Sequence, residues 1–216
     1  MKFYAVRKGR KVGIFNTWQE TKENVDNFSG AEYKSFNSIE AAQAYLNADK
    51  PVVDDYSDCD IIVYTDGGCR NNGVHKGGHV QKDDKAAWAY TIRCKDEACS
   101  IDGVGGERGA TNNQMELTGL IEAIEMLIKK NWQNKKIRFC LDSKYVIENI
   151  DRLSTWKAAG WRNTSGLVAN KDKWQKLEPL LQECTNKSFF WVKGHADSEG
   201  NNYVDRKLNE YMDDEM

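Results

Sequence analysis

Long apolar runs are missing from the sequence, since none approaches the roughly 20 residues that a membrane-spanning helix needs. The basic N-terminal stretch MKFYAVRKGRKVGIF also lacks the continuous apolar core of a secretion signal, and its alternation is typical of a folded strand. These absences exclude a membrane protein, and we expect a cytoplasmic protein with no membrane association.

Paired cysteine spacing is missing as well. The sequence contains six cysteines: Cys59, Cys69, Cys94, Cys99, Cys140 and Cys184. Because no paired spacing repeats among them, a disulfide framework is not indicated, and we expect free thiols in a reducing compartment.

A strong net charge is the third absence. The formal net charge is -2, which by itself argues against a nucleic-acid-binding protein. The distribution is more informative, because residues 1–11 carry basic side chains and no acid, and residues 156–176 carry basic side chains and only Asp172. Acidic residues concentrate in 49–60 and 213–215. The near-neutral sum therefore hides basic patches that could contact a nucleic acid.

Residues 1–47 have the pattern of a small β-β-α-β-α domain. Thr17 and Glu20 have the capping-box spacing of a helix start, and Ser38 is placed to cap a second helix. The predicted strands are residues 3–6, 12–15 and 31–36. The segment that follows, NADKPVVDDYSDCD, contains one of the two prolines and five aspartates. We interpret residues 48–58 as a solvated acidic linker.

Residues 59–216 alternate strands and helices, as expected of an α/β domain with a mixed sheet. The predicted strands are residues 61–65, 86–94, 98–105, 137–141 and 188–192, the first three forming an antiparallel meander. The predicted helices are residues 112–130, 143–149, 171–184 and 202–212. Pro179 should kink or break the third of these helices.

Four acidic residues lie where the sheet and its helices could bring them together. Two follow predicted strands and two lie near the starts of predicted helices: Asp66, Asp142, Glu116 and Asp205. Ligand sites in open α/β sheets form outside the carboxyl ends of the strands. Converging carboxylates repel one another, and Mg²⁺, which prefers oxygen ligands, relieves that repulsion. Taken singly, each acid could equally be a helix cap or a turn former.

Four blocks of the sequence resemble, in order and spacing, the signature blocks of type 1 ribonuclease H: TDGGCRNNG, TNNQMELTGLIEAI, LDSKYVIENI and WVKGHADSEGNNYVD. The resemblance covers nearly all of residues 60–213 and implies a ribonuclease H-like mixed five-stranded sheet flanked by helices. The N-terminal stretches FYAVRKGRKVGIFNTWQE and YKSFNSIEAAQAYL are similar to the RNA–DNA hybrid-binding domain that many such enzymes carry.

The resemblance implies an activity: endonucleolytic hydrolysis of the RNA strand of RNA–DNA hybrids, which leaves 5′-phosphate and 3′-hydroxyl ends. Two Mg²⁺ ions, with Mn²⁺ as an alternative, would be held by Asp66, Glu116, Asp142 and Asp205. His195 matches the mobile histidine of the family, which is thought to assist proton transfer or product release. On chemistry alone, a structural histidine between a strand and a helix is the favoured interpretation of His195.

Contacts to both nucleic-acid strands are implied in the same way. Four residues match positions that touch the RNA strand near the cut, where the 2′-hydroxyl distinguishes RNA from DNA: Cys69, Asn72, Asn112 and Asn113. Thr111 and Asn170 match a pocket for a phosphate of the DNA strand, and Trp156 and Trp161 lie in a segment that resembles the family's basic protrusion. The alternatives are a helix N-cap for residues 111–113 and core packing for the two tryptophans.

In the small domain, six residues match positions that contact the hybrid: Tyr4, Arg7, Lys8, Trp18, Tyr33 and Lys34. The family often has a second basic residue after Lys34, where this sequence has Ser35, so we expect somewhat weaker binding.

Two other functions remain alternatives to an endonuclease. A non-catalytic protein that binds RNA–DNA hybrids could use the same fold, although the presence of all four acids disfavours it. An integrase-like strand transferase would keep the metal chemistry and change the substrate. Separately, the spacing of Cys69, His75 and His79 could indicate a transition-metal site, but no fourth ligand is evident and a solvated loop is the simpler interpretation.

Overall fold

The computed structural model of the chain describes residues 2–36, 39, 42, 45–46, 56–70, 80–96, 99–192 and 198–216. The internal contacts of the chain divide it into two compact units, Met1–Pro51 and Val52–Met216. Within the described ranges, none of the helices is both long and apolar enough to cross a bilayer.

The N-terminal unit is a three-stranded antiparallel sheet with a helix. Its elements are β1 (Phe3–Lys8), β2 (Gly13–Phe15), α1 (Trp18–Val25) and β3 (Glu32–Phe36), and the strand order is β2-β1-β3. Thr17 caps α1 and forms the predicted capping box with Glu20. Of the second predicted helix, Ser38 lies outside the described residues, whereas Ala42 is helical and fully buried.

The larger unit contains seven strands and five helices in its described part. The strands are β4 (Ile61–Cys69), β5 (Lys85–Cys94), β6 (Ser100–Arg108), β7 (Ile137–Leu141), β8 (Arg162–Asn163), β9 (Gly166–Leu167) and β10 (Lys187–Trp191). The helices are α2 (Asn112–Lys129), α3 (Lys144–Ile150), α4 (Leu153–Ala158), α5 (Lys171–Glu183) and α6 (Glu199–Asp214).

Five of these strands form one mixed sheet in the order β10-β7-β4-β5-β6. β4, β5 and β6 are antiparallel neighbours, whereas β7 is parallel to both β4 and β10. This arrangement confirms the predicted ribonuclease H-like mixed five-stranded sheet and its antiparallel meander. β8 and β9 form a separate short hairpin.

Both faces of the sheet are covered by helices. Successive side chains of a strand point to opposite faces, so Ile61 and Val63 of β4 pack in the core cluster that contains α2, whereas Ile62 and Tyr64 pack in the cluster that contains α6. A strand buried on both faces has an unbroken apolar sequence rather than an alternating one. This explains the run IIVY that precedes Asp66.

The structure corrects three expectations. β4 extends to Cys69 rather than ending at residue 65, because β5 continues to pair with it after β7 has ended. The expected break of α5 at Pro179 is wrong, because the helix continues through this residue with Trp174 and Leu181 buried in the core on either side. A kink at Pro179 stays a prediction.

The third correction concerns the cysteines. Cys94 and Cys99 form a disulfide across the turn between β5 and β6, with their Cα atoms 5.4 Å apart. The expectation of free thiols is therefore wrong for this pair, which the hairpin brings together without any repeated spacing in the sequence. The expectation of free thiols is confirmed for Cys69 and Cys184.

The last residues of the expected acidic linker make contacts with the larger unit. Tyr56 packs against the core cluster beneath α6, and Asp58 forms an ion pair with Arg138 of β7. Residues 47–55 lie outside the described ranges.

Candidate active site

Asp66 and Asp142 come together because their strands, β4 and β7, are parallel neighbours that stop pairing just before these two residues. The last residue pair between β4 and β7 is Thr65 with Leu141, so Asp66 and Asp142 follow side by side at the same edge. β7 stops there, whereas β4 continues along β5. Asp66 is 8% exposed, and Asp142 is half-buried.

Glu116 reaches the same place because α2 lies directly against β4. A Cβ atom on Gly67 would lie 2.1 Å from the backbone N of Glu116, so only glycine permits this approach. Thr111 fixes the start of α2 through a capping box with Gln114. Carboxylate oxygens of Asp66, Glu116 and Asp142 consequently all lie within 4.8 Å of one another.

Asp205 approaches the other three acids from α6, on the other face of the sheet. It lines the same cleft, which has a volume of about 280 Å³. Other lining residues come from the end of β4, the start of α2 and one face of α6: Gly67, Gly68, Cys69, Arg70, Asn112, Asn201, Leu208, Asn209 and Met212. The four predicted acids therefore line a single cleft.

Burial and neighbouring negative charges raise the pKa of two of the carboxyl groups, Asp66 and Glu116. Burial raises the pKa of Asp66 to about 8, with the negative charges of Asp142 and Asp205 adding to the effect, while the N–H of Gly67 donates to it at 2.7 Å and opposes the rise. Burial, followed by the charges of Asp142 and Asp66, raises the pKa of Glu116 well above its usual value. Such a cluster is stabilised when a cation binds.

Hydrogen bonds orient two of the acids. The Nε1–H of Trp191 donates to the backbone O of Asp142 at 2.9 Å, and Asn201 Nδ2 donates to its Oδ2 at 3.4 Å. Asn209 Nδ2 donates to Asp205 Oδ1 at 3.0 Å. Neither asparagine was predicted from the sequence. Their spacing of four residues from Asp205 is the signal for them, but the predicted helix began at residue 202 and left Asn201 outside.

The donor set fits a hard divalent cation. Its charged ligands are all carboxylate oxygens, which suit Mg²⁺ or Mn²⁺ rather than a metal that prefers sulfur or imidazole. The thiol of Cys69 lines the cleft, but burial and the charge of Asp84 raise its pKa, and its Sγ donates to the backbone O of Arg70 at 3.0 Å. Cys69 is therefore a neutral thiol here and not a thiolate ligand.

The predicted RNA contacts divide into three groups. Cys69 and Asn112 line the cleft, and Asn113 is exposed on the first turn of α2. Asn72 lies outside the described residues. The same holds for the predicted mobile histidine, His195, and for the two histidines of the alternative transition-metal site, His75 and His79. Asn112 Oδ1 is buried and makes no hydrogen bond to any described residue, so it can accept one from a ligand.

For the predicted phosphate pocket, the two residues have separate structural roles. Thr111 caps α2, as the alternative interpretation states. Asn170 precedes α5 in a left-handed conformation, with φ of 56°, and its Nδ2 donates to the hydroxyl of Tyr145 at 3.1 Å.

Trp156 and Trp161 belong to the core. They are 7% and 9% exposed, and both pack in the cluster beneath α2 and α5. Trp156 lies edge-on to the fully buried Trp174, with ring centroids 5.6 Å apart. This low exposure favours the alternative of core packing, and contact between these rings and the DNA strand stays a prediction.

In the N-terminal unit, three of the predicted residues form an aromatic cluster. The ring centroid of Trp18 lies 5.9 Å from that of Tyr4 and 5.7 Å from that of Tyr33. Trp18 and Tyr33 are each 44% exposed, although both are large apolar rings. An exposed cluster of this kind is suited to contact with a ligand.

The predicted cations of this unit differ in their surroundings. Arg7 lies over the ring of Tyr45 at 4.2 Å and donates to its backbone O at 2.7 Å. Lys8 and Lys34 are exposed on β1 and β3. Arg7 therefore has a structural contact in addition to any it makes with a ligand.

Known families match both parts of the chain. The model for RNase H matches residues 58–212, and the model for the Ribonuclease H1 N-terminal domain matches residues 2–46. A curated relative, the Ribonuclease H of Ruthia magnifica subsp. Calyptogena magnifica, is 40% identical over 156 residues, which are 71% of this chain and 95% of the relative.

Solved structures share the fold of the larger unit. LC9-RNase H1, described as a type 1 RNase H with the type 2 active-site motif, has a TM-score of 0.59 at 24% identity, and the match covers 75% of this chain and 76% of that one. LC11-RNase H1, solved in complex with an RNA/DNA hybrid, has a TM-score of 0.53 at 21% identity, with 71% and 96% covered. At these identities the likeness concerns the fold alone. Together with the two family models and the curated relative, it leads to one conclusion: the chain belongs to the ribonuclease H family, as a type 1 member with a ribonuclease H1 N-terminal domain.

Proposed function

We propose that the protein is an endonuclease that hydrolyses the RNA strand of RNA–DNA hybrids and leaves 5′-phosphate and 3′-hydroxyl ends. One observation carries the proposal: oxygens of Asp66, Glu116 and Asp142 lie within 4.8 Å of one another in a cleft that Asp205 also lines. Membership of the ribonuclease H family supplies the substrate class.

Asp66, Glu116, Asp142 and Asp205 would hold two Mg²⁺ ions, with Mn²⁺ as the alternative. The bound ions would activate a water molecule and stabilise the leaving 3′ oxygen. The chain's own contribution is to fix the four carboxylates before substrate arrives. Burial on β4 holds Asp66, and the close packing of α2 on Gly67 holds Glu116. Asn201 and Asn209 orient Asp142 and Asp205.

His195 is the proposed proton-transfer residue. It lies between β10 and α6 in the sequence, and both elements border the acidic cleft through Trp191 and Asp205. Its role rests on its match to the mobile histidine of the family.

The proposed set of substrate contacts is smaller than the set that the resemblance implies. Cys69, Asn72, Asn112 and Asn113 would meet the RNA strand, where an amide can bond to the 2′-hydroxyl that distinguishes RNA from DNA. Thr111 and Asn170 would bind a phosphate of the DNA strand. Trp156 and Trp161 are left out because they are buried.

We also propose that residues 1–47 bind the hybrid, that residues 48–58 link the parts, and that residues 59–216 catalyse. The exposed rings of Trp18 and Tyr33 support a binding role for the N-terminal part, since aromatic faces beside cations suit nucleic acids. The expected contacts are Tyr4, Arg7, Lys8, Trp18, Tyr33 and Lys34.

The experiment gives the full chain labelled RNA–DNA hybrid, duplex DNA and duplex RNA with Mg²⁺, alongside Asp142→Asn. We expect cleavage of the RNA in the hybrid only, and its loss in the variant. Hybrid that is bound but left intact by the wild-type chain would support a non-catalytic binding protein. Cut or joined DNA would support strand transfer.

A further inference from the structure

One face of α6 carries an amide, a carboxylate and an amide on successive turns: Asn201, Asp205 and Asn209. Residues four apart share a face of a helix, and all three line the acidic cleft. The two amides donate to different carboxylates. Asn201 Nδ2 donates to Asp142 Oδ2 at 3.4 Å, whereas Asn209 Nδ2 donates to both Oδ1 and the backbone O of Asp205, at 3.0 and 2.8 Å.

The packing of α6 against the sheet fixes Asn201 in place. Ser198 caps the helix and accepts a hydrogen bond from the backbone N of Asn201 at 3.3 Å. A Cβ atom on Gly200 would lie 2.2 Å from the ring of Tyr64, so the first turn lies directly on β4. Asn201 is only 2% exposed. Its amide therefore has little freedom to turn away from Asp142.

The other end of the same amide has an unused acceptor. Asn201 Oδ1 is buried, and none of the described residues donates to it. Buried amide oxygens are normally hydrogen-bonded. A water molecule bound to a cation is a strong donor, because its lone pair is engaged by the metal, and outer groups that hold such waters and ligands tune metal sites.

We propose that Asn201 and Asn209 are positioning residues of the metal site: their amides orient Asp142 and Asp205, and Asn201 Oδ1 accepts from a metal-bound water. The inference rests on the proposed function, since it assigns these residues to the same cleft. Removing either amide should leave the fold intact and weaken divalent-cation binding, because a carboxylate without its donor must be ordered by the ion itself.

The test compares Asn201→Ala and Asn209→Ala with Asn149→Ala in the full chain. Asn149 Nδ2 donates to the backbone O of Tyr145 at 2.8 Å on α3, so it is an asparagine with a local helical contact outside the cleft. Three quantities are measured: the Mg²⁺ dissociation constant without substrate, followed by amide NMR; the KM for hybrid at saturating Mg²⁺; and the midpoint of thermal unfolding without metal.

We expect the Mg²⁺ dissociation constant to rise about tenfold or more for Asn201→Ala and severalfold for Asn209→Ala, the range seen when groups behind metal ligands are removed. KM for hybrid should stay within about twofold, and Asn149→Ala should bind Mg²⁺ like the wild type. Asn209 is half-buried, so its variant gives a result even if loss of the buried Asn201 amide lowers the unfolding midpoint.

Unchanged Mg²⁺ binding in Asn209→Ala, or an equal weakening in Asn149→Ala, would overturn the inference and leave the proposed function standing. A wild-type chain that binds no Mg²⁺ would instead overturn the proposed function itself. The two failures are thus distinguishable in a single set of titrations.

Discussion

Gly67 lies so close to Glu116 that a Cβ atom on the glycine would be 2.1 Å from the glutamate's backbone nitrogen. This contact seats α2 on β4 and thereby brings a helix carboxylate to the two strand carboxylates, Asp66 and Asp142. The acidic cluster therefore depends on the absence of a side chain at Gly67 as much as on the acids themselves.

Gly67→Ala should lower the stability and remove most of the activity. The added methyl group meets backbone rather than flexible side chains, so α2 must shift, and overpacking of this kind costs about 1–3 kcal/mol or more. Gly68→Ala is the matched variant, because its Cβ would meet only the side-chain ends of Leu208, at 3.0 Å, and Met212. Urea unfolding measures the free energy of unfolding of both variants, and we expect the larger decrease for Gly67→Ala. A decrease for Gly68→Ala as large as that for Gly67→Ala would contradict this prediction.

Stability without metal should depend on pH in a defined direction. Asp66 has a folded-state pKa of about 8, raised from 3.8 mainly by burial. Its contribution to stability is therefore fully present below about pH 4 and is lost as the pH rises through about 8. Saturating Mg²⁺ should remove this loss, because the ion stabilises the ionised form. The measurement is the midpoint of urea unfolding between about pH 5 and 9, with and without Mg²⁺. If the midpoint without metal rises over this range relative to the midpoint with Mg²⁺, the prediction is wrong.

Asp142→Asn should stabilise the metal-free protein while abolishing cleavage. The substitution keeps the shape and removes a negative charge that raises the pKa of both Asp66 and Glu116. A gain of about 1 kcal/mol would raise the midpoint of thermal unfolding by about 2–4 °C for a chain of this size. Scanning calorimetry in EDTA measures it. A midpoint well below that of the wild type would show that Asp142 is needed for folding rather than for metal binding.

Trp18→Ala should weaken hybrid binding and leave catalysis at saturating substrate unchanged. Loss of one stacking ring costs about 1–3 kcal/mol in comparable nucleic-acid sites, which is a change of roughly 5- to 150-fold in affinity. Val12→Ala is the control, because Val12 is also exposed on this unit but lies outside the aromatic cluster. Filter binding and kcat measure the two effects, and equal affinities for the two variants would contradict a binding role for Trp18.

Removing residues 1–50 should lower affinity for the hybrid and flatten its salt dependence. The basic residues of this segment are expected to contact phosphates, and each contact releases a counterion. Binding measured at several salt concentrations gives the slope for both chains. Loss of cleavage by the shortened chain, residues 51–216, even at high substrate concentration, would show that the division of roles is wrong.

Much of the fold could be predicted because its signals are local. β7 begins and ends at the predicted residues, since IRFCL is buried throughout and Ser143 caps α3 shortly after it. Thr17 with Glu20 gave the start of α1 for the same reason. The course of β4 beyond Asp66 could not be predicted, because that segment is held by pairing with β5, a partner distant in sequence.

In the candidate site, too, the features with local sequence signals could be predicted and those that depend on tertiary contacts could not. The four acids could be located from their motifs, whereas the packing of Gly67 against Glu116 and the hydrogen bond from Asn201 to Asp142 depend on tertiary contacts. The roles of Trp156 and Trp161 could not be decided from the sequence, because tryptophans beside lysines suit a nucleic-acid surface as well as a core. Their low exposure and the packing of Trp156 on the buried Trp174 depend on tertiary contacts.

The central claim is that a carboxylate-bound metal centre directs water at the RNA phosphodiester. The most direct measurement is an analysis of the ends of RNA fragments released from an RNA–DNA hybrid in a single turnover, with Mg²⁺ and with EDTA. The account predicts 5′-phosphate and 3′-hydroxyl ends that form only with Mg²⁺. Fragments ending in a 2′,3′-cyclic phosphate, or cleavage that persists in EDTA, would contradict it, because the 2′-hydroxyl and not a metal-activated water would then be the nucleophile.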